Sequence, residues 1–157
     1  MVERGVVLRH PPGRGWSIES NVYIGRGVIL DVWPGASLGI DRQVKIMHYV
    51  VIGVRDSVMV GADSQISEFT SVRDADHQTE ADVVISHAPM VASPISIGSN
   101  VWIARGCAVL RGSSLGDGVV VAANSVVRGT FAANLLVAGS PARAKRSRLP
   151  STDRGGR

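Results

Sequence analysis

The chain has 157 residues, a formal net charge of +4 and 45% hydrophobic but only 4% aromatic residues. That length suits one domain with a sizeable core, and no run approaches the roughly 18 apolar residues of a spanning helix. The N-terminus lacks the charged-then-apolar pattern of a signal peptide, and Cys107 as the single cysteine excludes an internal disulfide, so the expectation is a cytoplasmic protein without a membrane span.

Much of the basic surplus sits near the C-terminus, in Arg143, Lys145, Arg146, Arg148, Arg154 and Arg157. With so few aromatics to stack bases, it argues for a solvated tail or a site for a phosphorylated ligand rather than for nucleic acid. Eighteen glycines among abundant Val, Ile and Leu favour many short strands over a helical bundle.

Residues 1–20 show no repeat and read as an N-terminal cap segment, with His10 in "HPPG" and Trp16 at the open end. Trp33, further on, is either a second capping aromatic or a ligand contact. A large aliphatic residue recurs at six-residue spacing in three runs: Ile24 and Leu30; Ile40, Ile46 and Ile52; and, after a two-residue slip, Val60, Ile66 and Val72. Residues 73–96 break the pattern. It resumes at Ile97 and runs through Ile103, Val109, Leu115, Val121 and Val127. A spacing of six is neither helical nor a plain alternation; it suits very short strands joined by sharp corners, one bulky side chain per strand pointing inward. Three strands close a triangular coil, and coils stack through parallel hydrogen bonds at about 4.8 Å. About fourteen hexads predict an all-β solenoid of about five coils over residues 21–146, with one extended loop at 73–96 and a basic, flexible tail at 147–157.

This pattern resembles the hexapeptide-repeat proteins, and the resemblance implies a left-handed parallel β-helix; periodicity alone gives only a prism. The stretch "ISIGSNVWIARGCAVLRGSSLGDGVVVAANSVVRGTFAANLLVAGSPARAKR", residues 95–146, is similar to the last coils of acetyl-CoA-dependent O- and N-acetyltransferases. These include the galactoside and maltose acetyltransferases and enzymes of surface-polysaccharide assembly. The segments "NVWI", "AANSVV" and "AGSPAR" carry the resemblance. It implies acetyl-CoA as co-substrate, no bound cofactor or metal, a sugar-like acceptor, and a homotrimer with active sites between subunits. It also implies a general base at His77, a donor channel lined by Trp102, pantetheine contacts at Arg105 and Ala123, and charges near the CoA nucleotide at Arg143 and Arg146. Arg128 stands one position before the basic residue that relatives carry. Only about twenty residues precede the first hexad, which separates the chain from serine acetyltransferase with its helical N-terminal domain.

His77 lies in "VRDADHQTEAD", residues 72–82, at the point where the repeat stops. A neutral imidazole, with an unperturbed pKa near ~6.5, can take a proton from a hydroxyl or amine as it attacks a thioester. Asp74, Asp76 and Glu80 are candidates to orient the ring, and a backbone carbonyl would serve as well. His48, in the coil, and His87, in the loop, are weaker candidates for acceptor contacts beside Trp33. Cys107 falls at an inward position and reads as core. Two other classes remain at this point. A γ-carbonic-anhydrase-like metalloenzyme needs three convergent imidazoles, for which His48, His77 and His87 lack the close pair. A non-catalytic assembly module would leave both His77 and the donor pattern unexplained.

Overall fold

The six-residue spacing turns directly into geometry. Ile103, Val109, Leu115, Val121 and Val127 each end a two-residue strand, point inward and are at most 2% exposed. Each such side chain taken from water contributes about 1.5–3 kcal/mol to folding, and stacked ladders make the contribution continuous. The computed structural model describes residues 1–150, so the part of the tail from 151 to 157 lies outside the described residues.

The chain winds coil by coil. The first coil holds β1 (Val7–Leu8), β2 (Trp16–Ile18) and β3 (Tyr23–Ile24); the second holds β4 (Ile29–Val32), β5 (Ser37–Ile40) and β6 (Lys45–Ile46). The third holds β7 (Val51–Val54), β8 (Ser57–Val60) and β9 (Gln65–Ile66). The fourth begins with β10 (Ser71–Arg73), leaves the prism in a hairpin of β11 (Ala75–His77) and β12 (Met90–Ala92), and returns as β13 (Ile95–Ile97) and β14 (Trp102–Ile103). The fifth is β15 (Ala108–Val109), β16 (Ser114–Leu115) and β17 (Val120–Val121); the sixth is β18 (Val126–Val127), β19 (Thr130–Phe131) and β20 (Leu135–Gly139). A last strand, β21 (Ala142–Ser147), folds back antiparallel on β20.

Three parallel sheets form the faces of the prism. Face 1 runs β1-β4-β7-β10-β15-β18, face 2 runs β2-β5-β8-β13-β16-β19, and face 3 runs β3-β6-β9-β14-β17-β20 with β21 on its edge. Six coils are therefore complete, and a bridge from Val2 to Ile24 begins a seventh, where the hexad count predicts about five. The extra coils come from both ends. Residues 7–24 already form a coil although the repeat is read only from Ile24 at its end, and Val137 continues the buried ladder beyond the last hexad.

Coil length changes along the prism. Register partners Ile29 and Val51 are 22 residues apart, Val51 and Ser71 are 20 apart, and Ala108 and Val126 are 18 apart. The longer coils use four-residue strands on faces 1 and 2, each with two inward residues: Leu30 and Val32, Leu38 and Ile40, Ile52 and Val54, Val58 and Val60. The slip after Ile52 is this widening. It broadens the edge between faces 1 and 2, where Trp33 and Arg55 sit.

The edge between faces 3 and 1 turns through left-handed backbone. Asn124 supplies that conformation readily, but Tyr49 (φ 58) and Phe69 (φ 59) are bulky residues there, and their exposed rings stack 5.4 Å apart. Cys107 is buried beside this edge; its thiol donates to the Ala122 carbonyl at 3.2 Å and burial pushes its pKa up, which suits core and not a nucleophile.

Candidate active site

The break at residues 73–96 is a hairpin that springs from the edge between faces 1 and 2. Asp74 marks its base: fully buried, it accepts from the backbone N–H of Arg55 at 2.7 Å and of Asp56 at 2.8 Å, tying the exit point to the corner of the coil below. From there, strand alternation decides which way each side chain faces. Asp76 turns toward the next coil, where its carboxylate accepts from Arg111 Nε at 3.1 Å. Ala75 and His77 take the opposite side, and Met90 is the cross-strand partner of His77. Ala75 and Met90 line a narrow cleft with Asp31, Gly53, Arg55 and Arg73, so the side of the hairpin that carries His77 overlooks the earlier coils.

His77 is exposed, and its Nδ1 lies 3.2 Å from the carbonyl oxygen of Ala88. A carbonyl can only accept, so Nδ1 carries the proton and Nε2 keeps its lone pair. The backbone thus orients the ring. Of the three acidic candidates, Asp74 is committed to backbone amides, Asp76 to Arg111, and Glu80 lies exposed beyond the strand. None is a partner of His77 among the described hydrogen bonds.

Below the cleft, Asp31 and Arg55 continue into an open groove of about 560 Å³ lined also by Val7, Arg9, His10 and Trp33. Trp33 is 42% exposed, and the Arg55 guanidinium lies 3.3 Å over its ring. Trp16, by contrast, packs against the core at the open end, so of the two N-terminal tryptophans only Trp16 acts as a cap. Arg55 has no signature in the sequence except that it falls inside the two-residue slip.

A second groove, of about 480 Å³, runs along face 3 and its edge with face 1. Trp102, Arg105 and Ala123 all line it, with Ser67, Glu68, Val120 and Leu136. Trp102 is 48% exposed; its indole Nε1–H donates to Ser67 Oγ at 3.0 Å, which fixes the ring against the prism. Across the β20–β21 ladder Arg146 pairs with Leu136, which lines this groove, and Arg143 with Ala138 further along, so both lie on face 3. Arg128 does not: it follows β18 at the edge between faces 1 and 2, the edge of the His77 hairpin.

The remaining acceptor candidates separate. His48 sits on the edge between faces 3 and 1, where its Nδ1 accepts from Arg26 N–H at 3.0 Å and lies 3.5 Å from Glu3 Oε2. His87 ends the short 3-10 turn Ile85–His87, exposed at the hairpin's far end. Trp33 and His87 thus share the edge of His77, and His48 does not. His48, His77 and His87 do not converge, and among the described residues no three His, Cys, Asp or Glu side chains form a metal-ligating group.

The stacked coils form a left-handed parallel β-helix, and within it residues 94–129 match the family described as bacterial transferase hexapeptide (six repeats). Individual relatives sharpen this. Over 73 residues the chain is 37% identical to WbbJ of Escherichia coli, a protein named for lipopolysaccharide biosynthesis O-acetyl transfer, covering 46% of this chain and 37% of that one. The chain thus spans less than two fifths of the curated relative it matches. Among solved structures, a hexapeptide-repeat acetyltransferase of Vibrio cholerae in complex with acetyl coenzyme A is 25% identical with a TM-score of 0.77, covering 87% of this chain and 72% of that one. AntD, an N-acyltransferase of Bacillus cereus solved with dTDP and 3-hydroxybutyryl-CoA, shares the fold with a TM-score of 0.83 at 19% identity, covering 94% of this chain and 79% of that one.

Proposed function

We propose that the protein is an acetyl-CoA-dependent acetyltransferase whose acceptor is a hydroxyl or amine of a sugar or sugar-like molecule. The observation that carries the reading is the 3.2 Å contact of His77 Nδ1 with the Ala88 carbonyl: a neutral ring that donates Nδ1–H there has Nε2 as its basic nitrogen. Nε2 takes the acceptor proton as its oxygen or nitrogen attacks the thioester carbonyl. The tetrahedral oxyanion collapses, the C–S bond breaks, and the departing thiolate of CoA recovers the proton from the imidazolium. Acetyl passes directly from sulfur to acceptor, with no acyl-enzyme. Relatives named as acetyltransferases, and the acetyl-CoA complex of the Vibrio cholerae protein, support the donor.

The groove beside Trp102, Arg105 and Ala123 would take the pantetheine arm, and Arg143 and Arg146 on face 3 the phosphates of CoA. This groove and His77 lie on different edges of one prism, so a site containing both draws on two copies of the chain. A homotrimer satisfies that requirement three times over by closed symmetry. Arg128, on the edge of His77, would then reach the donor from the second copy. Dependence on acetyl-CoA would place the protein in the cytoplasm.

The test is release of free thiol from acetyl-CoA with a panel of sugars, amino sugars and nucleotide sugars. Trp102→Ala is expected to raise KM for acetyl-CoA about tenfold while changing kcat far less, since it removes binding shared by ground and transition states. Turnover with no acceptor in the panel, together with no thermal stabilisation by CoA, would overturn the assignment.

A further inference from the structure

The groove below His77 has chemistry that transfer to a neutral sugar does not use. Three guanidiniums line it and the adjoining cleft: Arg9, Arg55 and Arg73. Against them stand Asp31, whose carboxylate lies 3.5 Å from His10 Nε2, and Asp74, which is spent on backbone amides. None of the three arginines belongs to an ion pair among the described residues. Arg55 is the one of the three that stacks on an aromatic ring. Stacked 3.3 Å over Trp33, its guanidinium is held in plane, with its N–H edge left to meet a ligand. Arg73 is laid flat along face 1 because Gly53 beneath it has no side chain: a Cβ there would stand 3.3 Å from Arg73 Nη1 and 3.4 Å from its Cγ.

Position matters as much as charge. Trp33 follows β4, Arg55 follows β7, and the hairpin follows β10, which are consecutive strands of face 1. The Trp33–Arg55 platform therefore lies one to two coil steps below the hairpin, roughly 5–10 Å at the parallel-strand spacing. A lone sugar ring within reach of His77 Nε2 leaves this platform empty. A sugar that carries a phosphate on the side away from the reacting group fills it.

Resting on the acetyltransferase reading, we propose that the acceptor is a phosphorylated sugar, with Arg55, Arg9 and Arg73 binding its phosphate or diphosphate and Trp33 positioning Arg55. Planar, fixed guanidiniums suit phosphate oxygens because two N–H groups can donate in parallel. Asp31, which lines both the groove and the cleft, accepts from the sugar hydroxyls. The carriers of this chemistry are a sugar 1-phosphate, with one phosphate, and a nucleoside diphosphate sugar, with two.

The experiment uses glucose 1-phosphate, uridine diphosphate glucose and thymidine diphosphate glucose against methyl glucoside, by calorimetry and by thiol release from acetyl-CoA. The wild type is expected to bind at least one phosphorylated probe about tenfold or more tightly than the methyl glucoside, and Arg55→Gln is expected to abolish that preference. Lys45→Gln, an exposed cation on face 3, leaves the preference intact. Binding of the nucleotide sugars alone assigns a diphosphate; equal binding of the 1-phosphate assigns a single phosphate. No preference in the wild type, or one that survives Arg55→Gln, overturns the proposal. Arg55-dependent binding without thiol release leaves this site standing and removes the transferase reading. Thiol release as efficient with methyl glucoside does the reverse.

Discussion

Replacing His77 with alanine is expected to lower kcat by about 10²-fold or more while leaving KM for acetyl-CoA and the melting temperature nearly unchanged. The ring is exposed, so its removal opens no cavity in the core, and the groove beside Trp102 lies on another edge of the prism. One structural alternative needs its own control. The Nδ1 contact to Ala88 spans the two arms of the hairpin, so an inactive alanine variant could owe its loss to a displaced hairpin. His77→Asn separates the two. Its amide N–H can still donate to the Ala88 carbonyl, but asparagine offers no basic nitrogen. Asparagine is expected to be as inactive as alanine in steady-state thiol release. Recovery of turnover to within a few-fold of wild type by His77→Asn would show that His77 holds the hairpin and is not the base.

How much of this was legible in the sequence depends on where bulky residues point. In the C-terminal coils one inward residue per strand makes spacing and structure the same thing, so Ile97 through Val127 could be placed from the chain alone. In the earlier coils the strands on faces 1 and 2 carry two inward residues each. The distance from Leu30 to Ile40 or from Ile52 to Val60 then ceases to be a multiple of six, although the prism is continuous. The slip is not an error in the repeat but extra width on one edge. Residues 7–24 hid a whole coil for another reason: Val7, Leu8 and Ile18 in its strands are exposed at the open end and leave no inward ladder to read.

The site divides in the same way. His77 stands out because it interrupts a regular pattern, whereas Trp102, Arg105 and Ala123 are singled out only by the resemblance to acetyltransferases. The group that orients His77 was not visible, because a backbone carbonyl has no letter in the sequence: three acidic neighbours competed for a role that Ala88 fills. Arg55 was hidden too, since its partner Trp33 lies a full coil away along the chain and meets it only when strands β4 and β7 pair. The edges of the prism are columns of residues 18 to 22 apart, so a site on an edge is scattered in sequence by construction.

Asp74 is where scaffold and site meet, and its replacement by alanine should destabilise the fold by about 2 kcal/mol or more. Alanine leaves the amides of Arg55 and Asp56 without their acceptor and removes the pin at the hairpin's base. Asp76→Ala is the matched control: its pair with Arg111 is solvent-exposed and should contribute less than about 1 kcal/mol. The pH dependence tests the cause. Burial lifts the Asp74 carboxyl above its ordinary value of 3.8, with the amide hydrogen bonds of Arg55, Asp56 and Ser57 pulling the other way. A raised native pKa means that the folded state binds the proton more tightly than the unfolded chain does. The stability contributed by this proton is therefore fully present below 3.8 and declines as pH rises through the native value. The advantage of wild type over Asp74→Ala in urea denaturation should accordingly be larger near pH 4 than near pH 8. An advantage that instead grows with pH would mean that the amides, not burial, govern this carboxylate. Either way, kcat of Asp74→Ala should fall along with stability, because the same side chain that closes the corner at Arg55 fixes where the hairpin carrying His77 begins.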